Sequence, residues 1–246
     1  MANGTAFSSP LLDAGQVRKY AYRHRMGMVP SAEFCVFHDD FWSLFSANVA
    51  TGWSADIIDT GATIITDNIA GHGTGVAVIG SDGTTEGAAM YTAEGFQLVS
   101  GKKMFIEVRV KTSDADDTDV QFGLTDVSAT TNPEDVWTTA SADLVAFGVL
   151  DGDATVKMLS DNSNSGSTAE TGTIDLSDAT WHTLAIYYDG TNLHGYVDGE
   201  RALTWAQAST TIPNDGVTLA AFIGGRTGGD AAHEVYFDYI RLVSER

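Results

Sequence analysis

The sequence is short of cysteine, proline and positive charge. One cysteine, Cys35, among 246 residues excludes an internal disulfide framework and a zinc site built from several thiolates. Four prolines exclude a proline-rich stalk. The chain has 13 lysines and arginines against 33 aspartates and glutamates, so its formal net charge at pH 7 is −20. Such a charge argues against a nucleic-acid-binding protein, because phosphates require a dense basic surface.

Long apolar stretches are also missing. No apolar run approaches the ~20 residues that a membrane-spanning helix requires. Residues 1–30 contain four basic residues and no central apolar stretch, which is unlike a secretory signal peptide. We therefore expect a protein that is made in the cytoplasm and does not bind membranes.

Apolar residues and glycine are plentiful. Hydrophobic residues make up 43% of the chain, which is enough for a sizeable core and excludes a disordered protein. The 26 glycines, with so little proline, suit many tight turns between strands.

The first 35 residues form a basic segment ahead of an acidic body. They hold four basic and two acidic residues, a net charge of +2, so the remaining residues carry −22. Their glycines, serines and prolines break any periodicity, which predicts an extended arm, either a free terminus or a partner-binding segment. Arginine and tyrosine are typical interface anchors, which favours the second. The residues predicted to bind a partner are Arg18, Lys19, Tyr20, Tyr22, Arg23 and Arg25.

The body has the period-two pattern of β-strands. In residues 104–111, apolar Met104, Ile106, Val108 and Val110 alternate with other residues, as in a half-buried strand. Several strand-like runs end at an Asp-Gly pair, a hairpin signal, as at Asp151-Gly152, Asp189-Gly190 and Asp198-Gly199. No segment carries an apolar stripe at helical spacing. Short strands with regular turns predict an all-β sandwich or jelly roll.

One hairpin resembles a known fold family. Residues 181–190, from Trp181-His182 to Asp189-Gly190, and residues 193–201, with Val197-Asp198-Gly199, resemble the strand pair of concanavalin A-like, laminin-G-type jelly rolls. Residues 235–242 are similar to the last strand of that family. The resemblance implies two antiparallel sheets over residues 36–246, preceded by the arm of residues 1–35. It does not imply one function, because sandwiches host lectins, hydrolases and structural modules.

A narrower resemblance concerns the layout of the chain. Residues 37–42, then Trp53, then residues 101–109 look like the arrangement in tailed-bacteriophage virion proteins with such jelly rolls. This resemblance implies a capsid decoration protein that docks on the major capsid protein, or on other virion proteins, through its arm. We then expect a homo-oligomer located in the virion.

No set of residues predicts catalysis. Retaining glycosidases need two carboxyl groups about 5–5.5 Å apart, and the related glucanases carry Glu-x-Asp-x-Glu on a strand, a pattern that this sequence lacks. We therefore expect no enzyme activity and no cofactor. Glu107 alternates with Arg109 and Lys111, which predicts a solvated or cross-paired face.

Metal binding is also not expected. Four aspartates in residues 114–119 could chelate calcium, but they fail the EF-hand template, and a solvated polar loop is the simpler interpretation. His182 and His194 lie on adjacent predicted strands and could approach each other, by default as a hydrogen-bonded pair.

Two tryptophans raise an alternative function. Trp137 follows a polar stretch and Trp205 follows the Asp198-Gly199 turn, so either could be exposed and contact a glycan. Against this, tryptophan is usually buried in sandwiches because of its large apolar area. The alternative is a carbohydrate-binding, lectin-like module of a phage head or tail that aids host attachment.

Overall fold

Fifteen β-strands make up the regular structure of the computed structural model, which describes residues 34–39, 41, 53–58, 63–67, 76–80, 87–126, 143–162, 168–205, 212–213, 216–227 and 233–245. In chain order the strands are β1 (Phe34–Asp39), β2 (Trp53–Ile58), β3 (Thr63–Asp67), β4 (Val76–Gly80), β5 (Gly87–Thr92), β6 (Met104–Thr112), β7 (Thr118–Thr125), β8 (Leu144–Leu150), β9 (Asp153–Asp161), β10 (Thr168–Asp175), β11 (His182–Tyr188), β12 (Leu193–Val197), β13 (Glu200–Trp205), β14 (Ala220–Thr227) and β15 (Glu234–Glu245). Within these ranges the chain has no helix that could cross a membrane.

The strands form two antiparallel sheets. Sheet I has the order β13-β12-β11-β6-β15-β4-β3, with β1 also paired to β15. Sheet II has the order β10-β9-β8-β7-β14-β5-β2. The non-consecutive neighbours show that the chain crosses repeatedly between the sheets. This architecture confirms the predicted all-β sandwich of jelly-roll type.

The core lies between the sheets and follows from period-two alternation. Met104, Ile106, Val108 and Val110 of β6 point into it, together with alternate residues of the facing strand β7. Each large apolar side chain buried in this way contributes roughly 1.5–3 kcal/mol. The other residues of these strands point away from the core, and on sheet I they form the surface described below.

The predicted hairpin turns are confirmed. Val197 pairs with Glu200, which leaves Asp198 and Gly199 as a two-residue turn. Both have positive φ, 51° and 86°, as a type I′ turn requires. Glycine tolerates this conformation without strain, and aspartate tolerates it better than most residues do.

Strand β1 lies beside the last strand of the chain. Phe34 pairs with Glu245 and Asp39 with Ile240, so β1 includes the last two residues of the predicted arm. The six residues predicted to bind a partner, Arg18 to Arg25, lie outside the described residues, and their role stays a prediction.

Candidate functional site

The outer face of sheet I carries aromatic and charged side chains. On β6, Glu107, Arg109 and Lys111 alternate with the core residues. The register of β15 places Arg241 beside Glu107, Tyr239 beside Arg109, and Tyr236 beside Lys111. Trp181, just before β11, contacts the same row. Three of the chain's 13 basic residues are thus gathered on one face of a strongly acidic protein.

One end of this face is an aromatic–cationic cluster, formed by Arg109, Lys111, Trp181 and Tyr236. The guanidinium carbon of Arg109 lies 4.7 Å from the centroid of the Trp181 ring, and the ammonium of Lys111 lies 4.2 Å from the centroid of the Tyr236 ring. The two rings meet edge to face, with centroids 6.5 Å apart. Cation–π contacts of this kind contribute about 0.5–1 kcal/mol each at exposed sites. All four side chains are half-buried.

The two cations of the cluster differ in their partners. Arg109 donates to Oδ2 of Asp238 at 2.7 Å, so its charge is largely compensated. Among the described residues, Lys111 has two aromatic rings as neighbours, Trp181 at 5.4 Å and Tyr236, and no carboxylate within ion-pair distance. Lys111 is therefore the cation of the cluster that is available to a ligand.

The centre of the face is a buried ion pair. Glu107 is 1% exposed and Arg241 is 3% exposed, and their nearest charged atoms are 3.6 Å apart. The hydroxyl of Tyr239 donates to Glu107 at 2.9 Å, and the Arg241 guanidinium lies 5.2 Å from the ring centroid of Tyr239. Of the two alternatives for Glu107, the cross-paired one is confirmed. This arrangement holds the neighbouring strands and rings in position.

The two histidines of the hairpin do not meet. His194 lies opposite Tyr187, five residues along β11 from His182, and stacks on its ring at 5.8 Å. Nδ1 of His182 lies 2.8 Å from Asp198, and Nε2 of His194 lies 3.0 Å from Asp189. The expectation of a histidine pair is wrong because the register of the hairpin separates them, and each pairs instead with the aspartate of a turn.

Hydrogen bonds in the turn after β11 change the pKa of the Asp189 carboxyl group. Burial opposes ionisation of Asp189, but the backbone N–H groups of Asn192 and Thr191 and the ring of His194 hold its pKa below the ordinary value. The turn after β11 thus depends on an ionised carboxylate.

The outer face of sheet II is small and apolar along strand β8. On β8 the residues that point away from the core are Leu144, Ala146 and Gly148. Leu144 and Ala146 pack with Leu159 and Phe222 in a small buried apolar cluster. On this face, no described strand of sheet II carries carboxylates at alternate positions. The arrangement on one strand that the glucanases use is therefore absent from the described part of the sheet.

Two aspartates lie at the same end of the paired strands β8 and β9 in sheet II. Asp161, at the end of β9, and Asp143, just before β8, are both buried. Burial raises the pKa of Asp161, and the charge of Asp143 adds to this rise. Burial and the neighbouring carboxyl group thus favour the protonated form of Asp161.

The predicted glycan contacts have different outcomes. Trp205, on β13, is 6% exposed and belongs to the main core, so its ring offers no open face to a sugar, and the expectation that it is exposed is wrong. Trp137 lies outside the described residues. The glycan contacts predicted from the sequence did not include Trp181. Its position two residues before Thr183, on the outward phase of β11, could have indicated an outward-facing ring.

Comparison with known proteins identifies the family. The family model described as "Concanavalin A-like lectin/glucanases superfamily" (Laminin_G_3) matches residues 83–245, about two thirds of the chain. The chain belongs to this superfamily. A search of the curated proteins finds no match. The wider resemblance to concanavalin A-like jelly rolls is thereby confirmed, whereas the phage-specific layout stays a prediction.

Several solved structures are similar over most of the chain. A putative β-glucanase from Mycobacterium abscessus is 18% identical, with a TM-score of 0.57 over 84% of this chain and 98% of its own. An endo-β-1,4-glucuronan lyase from Trichoderma reesei is 12% identical, with a TM-score of 0.56 over 84% and 94%. The carbohydrate recognition domain of Emp47p is 11% identical, with a TM-score of 0.51 over 87% and 98%. At these identities the likeness concerns the fold alone.

Proposed function

We propose that this concanavalin A-like domain is a carbohydrate-binding, lectin-like module, and that it binds glycans at the aromatic–cationic cluster on the outer face of sheet I. The observation that carries the proposal is the half-buried Trp181 beside Lys111, a cation without a described carboxylate partner. An aromatic ring packs against the C–H groups of a sugar, and polar groups beside it fix orientation.

The chemistry of the cluster favours sugars that carry a carboxylate or a sulfate. Lys111 can donate three hydrogen bonds and supplies the charge, while Trp181 and Tyr236 supply apolar ring surface. The buried Glu107–Arg241 pair keeps the underlying strands rigid, so little ordering is required on binding. Family membership supports a carbohydrate ligand, because the superfamily is named for lectins and glucanases.

A glycan array with the full chain tests this proposal, with acidic and neutral glycans side by side. We expect Trp181→Ala to weaken binding about tenfold or more, since aromatic anchors of this kind typically dominate affinity. Lys111→Gln should lose the acidic glycans selectively, and Lys102→Gln, which changes an exposed lysine elsewhere in the domain, is the matched control. Unchanged binding by Trp181→Ala, or silence across the array, would contradict the proposal.

A separate assay distinguishes binding from hydrolysis. Glycan cleavage would require a pair of carboxyl groups, and Asp143 with Asp161 is the described pair to test. We expect no new reducing ends when the chain is incubated with glucans. If reducing ends appear and Asp161→Asn abolishes them, the domain is a hydrolase.

The virion role is a second proposal, which concerns the arm of residues 1–35. Its support is the placement of a basic, tyrosine-containing segment ahead of a domain that carries −22. The arm would dock on the major capsid protein or another virion protein in several copies, because ordering a long segment costs entropy that many contacts must offset. Deleting residues 1–30 should abolish co-sedimentation with empty shells. Full occupancy after the deletion would contradict this role.

A further inference from the structure

A histidine and two aspartates meet at the end of the sandwich where β6 leaves sheet I. The loop after β6 and the start of β15 are tied together, since the backbone N–H of Ser113 donates to the carbonyl of Glu234 at 3.0 Å. This tie places His233 against the loop. One ligand atom each from Asp114, Asp117 and His233 lies within 4.8 Å of the other two.

The imidazole of His233 points into this group with a nitrogen that has no hydrogen-bond partner. Its side chain is 10% exposed, and Nε2 is fully buried. Oδ2 of Asp117 lies 4.0 Å from Nε2, which is too far for a hydrogen bond. An unsatisfied buried polar atom typically costs about 1–3 kcal/mol, so a native protein rarely keeps one without a partner.

The other ring nitrogen is already supported. Nδ1 of His233 lies 3.3 Å from Oγ of Ser113, and that oxygen also accepts the backbone N–H of Glu234 at 3.0 Å. If Nδ1 carries the proton and donates to Ser113, the lone pair of Nε2 faces the two carboxylates. Metal-binding histidines are usually oriented by such a bond at the second nitrogen.

The two carboxylates differ in freedom. Oδ1 of Asp114 accepts the backbone N–H groups of Asp116 and Asp117 at 3.0 and 3.2 Å, which fixes this side chain and leaves Oδ2 for a ligand. The Asp117 side chain is 52% exposed and can move toward the others. A displacement on the order of 1 Å would bring the three atoms to the spacing around a zinc ion, whose bonds are about 2.0–2.2 Å long.

The other two aspartates of the loop have separate roles. Oδ1 of Asp116 accepts the backbone N–H of Ala154, and Oδ1 of Asp119 accepts that of Asp151. Burial raises the pKa of Asp119. The four aspartates therefore do not converge on one calcium ion, and the group that does converge includes a histidine far away in sequence.

We propose that Asp114, Asp117 and His233 bind a divalent transition-metal ion, with Zn²⁺ as the best match. One imidazole nitrogen and two carboxylate oxygens suit zinc, with water completing a tetrahedral site, whereas calcium takes oxygen ligands only. The ion would join the β6–β7 loop to β15 and would satisfy the buried nitrogen of His233. A ligand that binds the folded state alone raises the stability of that state.

The test uses the full chain after chelation and dialysis, and it needs no glycan. Calorimetric titration with Zn²⁺ should show one saturable site, and a thermal melt should shift upward with Zn²⁺. Co²⁺ should give the intense visible absorption of a tetrahedral ion, and the ring protons of His233 should shift in NMR spectra. Asp117→Asn should weaken Zn²⁺ binding by about 100-fold, since the loss of even a supporting residue often costs 10- to 100-fold.

A matched control lies in the same loop. Asp116→Asn makes the same change of charge two residues from Asp114, but Asp116 is not in the group, so affinity should fall by less than about threefold. His233→Gln should also abolish the Co²⁺ spectrum. The proposal is overturned by an absence of saturable Zn²⁺ binding, by equal effects of Asp116→Asn and Asp117→Asn, or by Ca²⁺ binding more tightly than Zn²⁺.

Discussion

The two sheets share a common core but differ on their outer faces. Sheet I places Glu107, Arg241 and Tyr239 at its centre, whereas sheet II places Leu144, Ala146 and Gly148 on β8. Alternation along a strand constrains only the side chains that point into the core, so the other set can differ freely between sheets. At the centre of sheet I the outward side chains form an ion pair under an aromatic ring, whereas those of β8 in sheet II are small and apolar.

The largest effect is expected from breaking the centre of the sheet I face. Arg241→Met should lower the free energy of unfolding by about 3–5 kcal/mol, because it leaves Glu107 as a buried charge without its cation. Urea unfolding measures the change. The double variant Glu107→Gln/Arg241→Met should recover part of the loss, since the remaining charge is then removed. A loss below about 1 kcal/mol for Arg241→Met alone would show that the pair does not hold this face together.

The next effect concerns the close approach of strands in sheet II. A Cβ at Gly148 would lie 1.7 Å from the carbonyl oxygen of Val120 on the neighbouring strand β7, so Gly148→Ala must push two backbones apart. We expect a loss of about 2–3 kcal/mol, in the range of overpacked cores. Gly95→Ala is the control, because a Cβ there would have no atom within 4 Å. Equal stability of the two variants would mean that sheet II does not require glycine at this position.

The sequence predicted the parts of the fold that depend on local pattern. The alternation in β6 and the Asp198-Gly199 turn follow from interactions between residues near in sequence, and both are confirmed. The predictions that failed involve contacts between residues far apart. Trp205 is buried because it packs into the core between the two sheets. His182 and His194 lie apart because the pairing register of β11 with β12 places His194 opposite Tyr187.

The candidate site was harder to predict than the fold for the same reason. Lys111 and Tyr236 are 125 positions apart in the chain, and only the pairing of β6 with β15 brings them together. His233 meets Asp117 through the same pair of strands. Each residue type was visible in the sequence, but the register between distant strands was not.

The smallest effect is expected in the pH dependence of two aspartates, one in each sheet. Hydrogen bonds lower the pKa of Asp189 at the end of β11, so its carboxylate stabilises the fold above the ordinary aspartate pKa, about 4, and this contribution is lost as the pH falls through the folded-state pKa. Asp189→Asn should therefore be less stable than the parent chain at pH 7, by about 1 kcal/mol for the lost charge-assisted hydrogen bonds, and the difference should shrink in acid.

Asp161, in sheet II, should behave in the opposite way. Burial and the charge of Asp143 raise its pKa, so its stabilising form is the protonated one, present below about pH 4 and lost as the pH rises through the folded-state pKa. Asp161→Asn should then be more stable than the parent chain at pH 7, with the gain disappearing toward pH 4. Urea unfolding of both variants at about pH 2.5, 4, 5.5 and 7 measures the two trends. Changes of the same sign at pH 7 would contradict the opposite pKa directions of these two aspartates, because a hydrogen-bonded carboxylate stabilises the fold when it is ionised and a desolvated one destabilises it.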